Sequence, residues 1–197
     1  MKIYLIRHGQ TTADVEDRYG GDYDDHLTGL GKKQAQELAG KLKGRGIEVI
    51  YHSPMIRATE TARIITNDLS LELRVVPDLR ERNVCGVVTG LTKTEARERF
   101  PDQVEELSKG TIYPKVKGSE QYNPFKERVL KAFGQVTSSD YSTIAVITHG
   151  GPISCIVREL LRLGELKRLG DCAILEINKN GKEYKLVNMD NAELEKR

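Results

Sequence analysis

The chain has 197 residues, 38% apolar and 30% charged, with a formal net charge of +2. That length suits one sizeable domain, and the near-balance of charge excludes a general basic field for nucleic acid. No stretch approaches the roughly 18 apolar residues of a membrane helix, and the apolar run at the N-terminus is too short for a signal peptide.

In chain order, KIYLIR (2–7) reads as a strand. TGLGKKQAQELAGKLKGRG (28–46) reads as a helix, with Leu30, Gln34, Ala35, Leu38 and Leu42 on one face. EVIYHS (48–53) is a second strand. SPMIRATETARIITNDL (53–69) is a helix with Ser53 as N-cap and Pro54 at its first position. ELRVVPDL (72–79) is a third strand. The stretch 83–123 is polar and broken by Pro101, Pro114 and several glycines, with a Thr92–Glu95 capping box. It reads as an insertion that covers something within a single domain spanning 1–197. PFKERVLKAFGQV (124–136) is a helix, VITHG (146–150) closes a fourth strand, and GGPISCIVRELLRLG (150–164) is a helix again. CAILEINKNGKEYKLVNM (172–189) gives two strands joined at Asn180-Gly181, a hairpin signal. The tail, NAELEKR, is expected to fray.

Alternating strands and helices predict a three-layer α/β/α sandwich with a mainly parallel sheet and an antiparallel edge. In such sheets ligands bind at the carboxyl ends of the strands. Arg7 and His8 follow the first strand. Ser53 and Pro54 follow the second, with Arg57 in the first helical turn. Glu81 follows the third and His149 the fourth. Four distant segments thus bring ionisable groups to one edge.

These residue types suit phosphate. Arginines grip it with paired N–H groups, and helix starts near Pro54 and Pro152 would add backbone N–H groups. Gly9, Gly150 and Gly151 let backbone come close. A histidine in a cationic pocket is driven neutral and nucleophilic, so His8 is the candidate to attack phosphorus. His149, protonated, would stabilise the oxygens, and Glu81 would serve the leaving group. There is no P-loop and no aspartate cluster, so neither metal nor organic cofactor is expected. Cys85, Cys155 and Cys172 form no C-x-x-C and read as buried, reduced thiols of a cytoplasmic protein.

Five segments carry a resemblance: RHGQT (7–11), HLTGLGKKQA (26–35), SPMIRATETA (53–62), LRER (79–82) and THGG (148–151). In this order they resemble the signature elements of the histidine phosphatase superfamily, also called the phosphoglycerate mutase-like family. The resemblance implies a phosphohistidine intermediate. It makes His8 the nucleophile, Arg7, Arg57 and His149 the phosphate pocket, and Glu81 the proton donor. Gly150 falls where the family contacts phosphate through backbone, and Gly20 and Gly21 fall in a substrate-contacting loop.

The chain departs from the family pattern at Asp14, where asparagine is common. An aspartate there repels phosphate unless it is protonated, turned away or paired, for instance with Arg18. It departs also at Thr89, where the family often has an acid. The chain is shorter than the longer mutases, whose insertion supplies basic groups; Lys115 and Lys117 are candidates for that role. The expected activity is a metal-independent phosphomonoesterase on a small phosphorylated metabolite. A phosphoglycerate mutase, which would need a bisphosphoglycerate primer, is the alternative, and a non-catalytic phospho-ligand binder a third. The sequence assigns no oligomeric state.

Overall fold

The computed structural model describes residues 1–195. Strand β1 (Lys2–Arg7) leads through one helical turn, α1 (Thr12–Val15), to helix α2 (Gly29–Leu42). Strand β2 (Val49–His52), helix α3 (Ile56–Leu69) and strand β3 (Glu72–Val75) follow. Two 3-10 turns (Pro77–Leu79 and Gly86–Val88) precede α4 (Lys93–Arg99), α5 (Pro101–Ser108) and α6 (Tyr122–Val136). After β4 (Thr143–Thr148), α7 (Gly150–Cys155) runs on into a π-helical turn (Ile156–Leu160). A long hairpin, β5 (Leu166–Asn180) and β6 (Glu183–Leu194), completes the sheet.

The strand order is β3-β2-β4-β1-β5-β6. The first four strands pair in parallel, and β5 and β6 add the antiparallel edge. The period of two along β1 explains the layers. Ile3 and Leu5 pack with Val49, Ile144 and Val146 under Phe125, Val129 and Phe133 of α6 and Ile153 of α7. Tyr4 and Ile6 face the other way, against Leu38 and Leu42 of α2 and Ala58, Ala62 and Ile65 of α3. The three-layer α/β/α arrangement is as expected. Each large side chain buried this fully, such as Phe125 or Phe133, contributes about 1.5–3 kcal/mol of burial free energy.

The TGLGKKQ segment has a job that its periodicity hides. Thr28 caps α2 by accepting from Gly31 N–H. A Cβ on Gly31 would lie 2.1 Å from the Gln10 carbonyl oxygen, so only glycine lets α2 come this close to the loop after β1. Gln34 Oε1 then accepts from Gln10 N–H at 2.8 Å. The helix thereby fixes the loop that carries His8.

Several boundaries differ from the sequence reading. Helix α3 begins at Ile56 with Met55 as N-cap, not at Ser53. Strand β5 begins at Leu166 instead of Cys172, and crosses an irregularity between Leu169 and Ile174. Asn191–Leu194 does not fray. It continues β6, with Ala192, Glu193 and Leu194 opposite Leu169, Arg168 and Leu166, because the ladder hydrogen bonds outweigh the polar composition. Residues 196–197 of the predicted tail lie outside the described residues. The Thr92–Glu95 capping box is present. Segment 83–123 gathers around a small cluster of Cys85, Val88 and Ala96 and is tied to Tyr19 by backbone bonds through Gly90 and Leu91.

Candidate active site

Strands β1 and β4 are neighbours, with Arg7 opposite Thr148. The residues that follow are therefore neighbours too. His8 N–H donates to the Thr148 carbonyl at 3.1 Å, and the His8 and His149 ring centroids lie 5.0 Å apart. His8 is 5% exposed and His149 is fully buried.

His8 Nδ1 lies 2.8 Å from the Gly9 carbonyl oxygen. A carbonyl only accepts, so Nδ1 carries the proton and Nε2 keeps its lone pair. Arg57 Nε–H points at that Nε2 from 3.2 Å. Burial first, then the Arg57 and Arg7 charges, hold the His8 pKa well below its ordinary 6.5. His149 Nε2 pairs with Ser53 Oγ at 2.6 Å. Its Nδ1 is buried with no partner among the described residues. Burial, then Arg57, His8 and Arg7, push the His149 pKa well below 6.5 as well. In the ligand-free pocket, burial and the neighbouring cations work against the protonated His149 that the sequence suggests. Ser53 Oγ does accept from Met55 N–H at 3.3 Å, as a cap would, and is in addition the hydrogen-bond partner of His149.

Arg57 is buried and held from several sides. Its Nη1 donates to Asp25 Oδ1 at 2.9 Å and to the Tyr23 carbonyl at 2.7 Å, and its Nη2 to the Gly21 carbonyl at 3.2 Å. Gly20, whose carbonyl accepts from Tyr23 N–H, lines the same cavity as Gly21. Arg7 Nη1 donates to the Leu169 carbonyl at 2.7 Å and lies 3.6 Å from Asp171 Oδ1. Its Nε is buried without a partner among the described residues. Asp25 and Asp171 both escaped the sequence reading.

Glu81 is held by backbone. Both its carboxylate oxygens accept from Gly151 N–H, at 3.1 and 3.0 Å, and Oε1 accepts from Arg82 N–H at 2.7 Å. A Cβ on Gly151 would lie 2.1 Å from Oε1. Glu81 stands between two cavities. One, about 130 Å³, is lined by Arg7, His8, Asp14, Gly20, Gly21 and Arg57 among others. It is large enough for a phosphoryl group. The second, about 270 Å³, shares Gly21 and Glu81 with the first.

Other expectations change. Asp14 lines the smaller cavity, with its Oδ2 accepting from Thr11 N–H and Oγ–H at 2.8 and 2.9 Å in a capping box. Arg18 does not neutralise it; Arg18 pairs with Glu16 and the Gly90 carbonyl. At each helix start one N–H group expected to be free is already taken. Ile56 N–H goes to Asp24 and Gly151 N–H to Glu81. Gly150 opens α7 beside Glu81, with a hypothetical Cβ at 3.8 Å from Oε2. Thr89 donates to Asn83. Lys115 and Lys117 are exposed, their backbone N–H groups bound by Glu106 and Gln103. Cys85 is buried, its thiol pushed up to about 11, as a packing residue should be.

The family model described as "Histidine phosphatase superfamily (branch 1)" matches residues 3–191. The chain belongs to the histidine phosphatase superfamily. A Hydrogenobacter thermophilus protein with the provisional name phosphoserine phosphatase 2 is 30% identical, with 94% of this chain and 93% of that one covered. An Escherichia fergusonii protein with the provisional name phosphoglycerate mutase GpmB is 29% identical, with 90% and 85% covered. The crystal structure of the alpha-ribazole phosphatase from Shigella flexneri superposes with a TM-score of 0.85 over 100% of each chain, at 23% identity. That last likeness is one of fold. As a histidine phosphatase, this chain is an enzyme of the phosphoryl-transfer kind. Among its described residues no helix is long and apolar enough to cross a membrane.

Proposed function

We propose that this histidine phosphatase is a phosphomonoesterase acting on a small phosphorylated metabolite through a phosphohistidine on His8. The observation that carries this reading is the His8 tautomer. Nδ1–H is committed to Gly9, which leaves the Nε2 lone pair in a buried, cationic pocket. His8 Nε2 attacks phosphorus, forming the P–N bond as the ester P–O bond breaks. Glu81, in its acid form, gives its proton to the departing alkoxide. It then takes a proton from the water that attacks the phosphohistidine and releases phosphate.

Arg7, Arg57 and neutral His149 stabilise the charge on the transferring group. Arg57 is preset by Asp25. Arg7 has a buried Nε–H awaiting an acceptor, and His149 Nδ1 is buried without a partner among the described residues; with Nε2 accepting from Ser53 Oγ–H, Nδ1–H donates to the phosphate. Gly20, Gly21 and Gly150 supply close backbone around the phosphate. Asp14 caps α1 through Oδ2 at the rim of the same cavity.

The test is phosphate release from p-nitrophenyl phosphate with EDTA present, for the native protein and His8→Ala. Turnover that His8→Ala abolishes, with an acid-labile phosphoryl label on the native chain only, is the expected result. No turnover and no label would sink the reading. The mutase reading, favoured by the relative of that provisional name, predicts isomerisation of 3-phosphoglycerate faster than phosphate release when a bisphosphoglycerate primer is supplied.

A further inference from the structure

The antiparallel ladder between β1 and β5 stops at Ile6, opposite Ile174. A regular strand would continue with Ala173 opposite Arg7. Instead β5 bulges. Leu169 pairs with Ala192 and Ile174 with Asp190, so residues 170–173 face Asn191 alone. Cys172 and Asn191 both take left-handed backbone, at φ 52° and 56°. Bulges beside active sites re-aim side chains, and a left-handed residue other than glycine persists where the surrounding structure holds it there.

The bulge brings three groups to the Arg7–His8 pair. The Leu169 carbonyl accepts from Arg7 Nη1 at 2.7 Å. Asp171 Oδ1 lies 3.6 Å from the same nitrogen, and Cys172 N–H donates to the His8 carbonyl at 3.1 Å. Nη1 is thereby occupied, while Nε is buried and neither Nε nor Nη2 has a hydrogen-bond partner among the described residues. Nε–H and Nη2–H form the side edge of a guanidinium, the pair that matches two oxygens of one phosphoryl group. Asn191 pins the bulge from the neighbouring strand. Its Nδ2 donates to the Asp171 carbonyl at 2.8 Å and its Oδ1 accepts from Arg168 Nη1 at 3.1 Å. It fits there because Gly170 has no Cβ, which would fall 2.2 Å from Nδ2.

We infer that the β5 bulge aims the Nε–Nη2 edge of Arg7 at the transferring phosphoryl group, with Asp171 and Asn191 as its positioning residues. This rests on the proposed place of Arg7 in the phosphate pocket and deepens it. An arginine side chain has much rotamer freedom to lose, and fixing Nη1 from β5 leaves one edge to bind. Neither positioning residue lines the phosphate cavity. The charge of Asp171 by itself opposes an anion nearby, so its value to the site lies in the direction it gives Arg7.

The experiment is a set of double-mutant cycles read by calorimetric titration with inorganic phosphate. Asp171→Asn keeps the shape of the side chain, and Asn191→Gly keeps the left-handed backbone. Each is expected to weaken phosphate about tenfold in the native protein, the scale of a charge-assisted hydrogen bond. In Arg7→Met, where nothing is left to aim, each should cost less than about twofold. In Glu81→Gln the full loss should persist. Equal losses with and without Arg7 overturn the inference, since they make the bulge a strut for the fold. Unchanged binding overturns it too, as does native affinity in Arg7→Met. Tighter phosphate in Asp171→Asn equally overturns it, because Asp171 would then act only through its charge. If Asn191→Gly does not fold, Asp171→Asn decides alone. The parent reading is judged separately, by turnover of p-nitrophenyl phosphate that His8→Ala abolishes. A protein that binds phosphate as expected without turning over would lose that reading and keep this one.

Discussion

His8 and His149 stand side by side because the strands that deliver them are parallel neighbours in register. Arg7 lies opposite Thr148, and the next residue on each strand turns its ring into the same buried space, 5.0 Å from the other. Two imidazoliums cannot share that space with Arg7 and Arg57. Burial and the neighbouring cations disfavour the charged form of both rings in the ligand-free pocket, which suits the proposed roles of His8 as nucleophile and His149 as a phosphate contact. On this basis His8→Ala should lower kcat/KM on any monoester by roughly 10⁴-fold or more and remove the phosphoryl label. His149→Ala should lower the rate but leave a trappable label. Rapid-quench labelling of the two variants checks the division of labour, and a label surviving in His8→Ala would disprove it.

The neutral histidines also set a stability profile. His8, His149 and, more mildly, His52 have folded-state pKa values below 6.5. Above pH 6.5 neither the folded nor the unfolded chain protonates them, and they contribute no pH dependence. As pH falls below 6.5 the unfolded chain gains protons that the folded one refuses, so stability declines until the folded pKa values are reached. The glutamates held low by partners, among them Glu60 and Glu165, act in a lower window, from about 4.5 downward. Asp171, raised from 3.8 by burial, works in the opposite sense. Urea midpoints should therefore drop from pH 7.5 to 5.5, and the double variant His8→Asn, His149→Asn should flatten most of that slope. A native midpoint that stays level over this range would contradict the account.

Arg57 and Asp25 are a buried pair, with side chains 6% and 2% exposed. Removing one member strands the other, at a cost of about 3–5 kcal/mol. Asp25→Leu should lose that much in denaturant titration and lose activity with it. Asp25→Leu combined with Arg57→Met should regain much of the stability, because no lone charge is left, and should stay inactive. Recovery of turnover in the double variant would show that Arg57 takes no part in the reaction.

These residues also show what a sequence discloses. The two histidines and Arg57 were legible because each follows a strand of plain apolar pattern, and strand order puts such positions on one edge. Asp25 was not. The segment GGDYDDHLT holds three aspartates, Asp22, Asp24 and Asp25, with nothing local to tell them apart. Asp24 binds Ile56 N–H at an exposed position, while its neighbour Asp25 is buried on Arg57. Only the path of the loop decides. Ser53 was only half legible for a related reason: its bond to Met55 N–H was, its bond to His149 was not. Before proline it has the chemistry of a cap, and its use by His149 depends on a strand ninety-odd residues away. Asp171 sits in the β5 irregularity, where the period that guides strand reading is lost.

The contrast between Gly150 and Gly151 tests the role of Glu81 without touching its carboxyl group. A Cβ on Gly151 would fall 2.1 Å from Glu81 Oε1, whereas one on Gly150 comes no nearer than 3.8 Å to Oε2. The clash is with the end of a flexible side chain, so Gly151→Ala should fold with nearly native stability while driving the carboxyl group off its N–H anchor. General acid–base catalysis is worth about 10²–10⁴-fold, and a loss in that range is expected on alkyl phosphates. The loss should shrink on p-nitrophenyl phosphate, whose leaving group needs no proton. Glu81→Gln should show the same dependence on leaving group, and Gly150→Ala should stay near native. If Gly151→Ala slows alkyl and nitrophenyl esters equally, the glycine acts on the fold of the pocket, and Glu81 is not the proton donor.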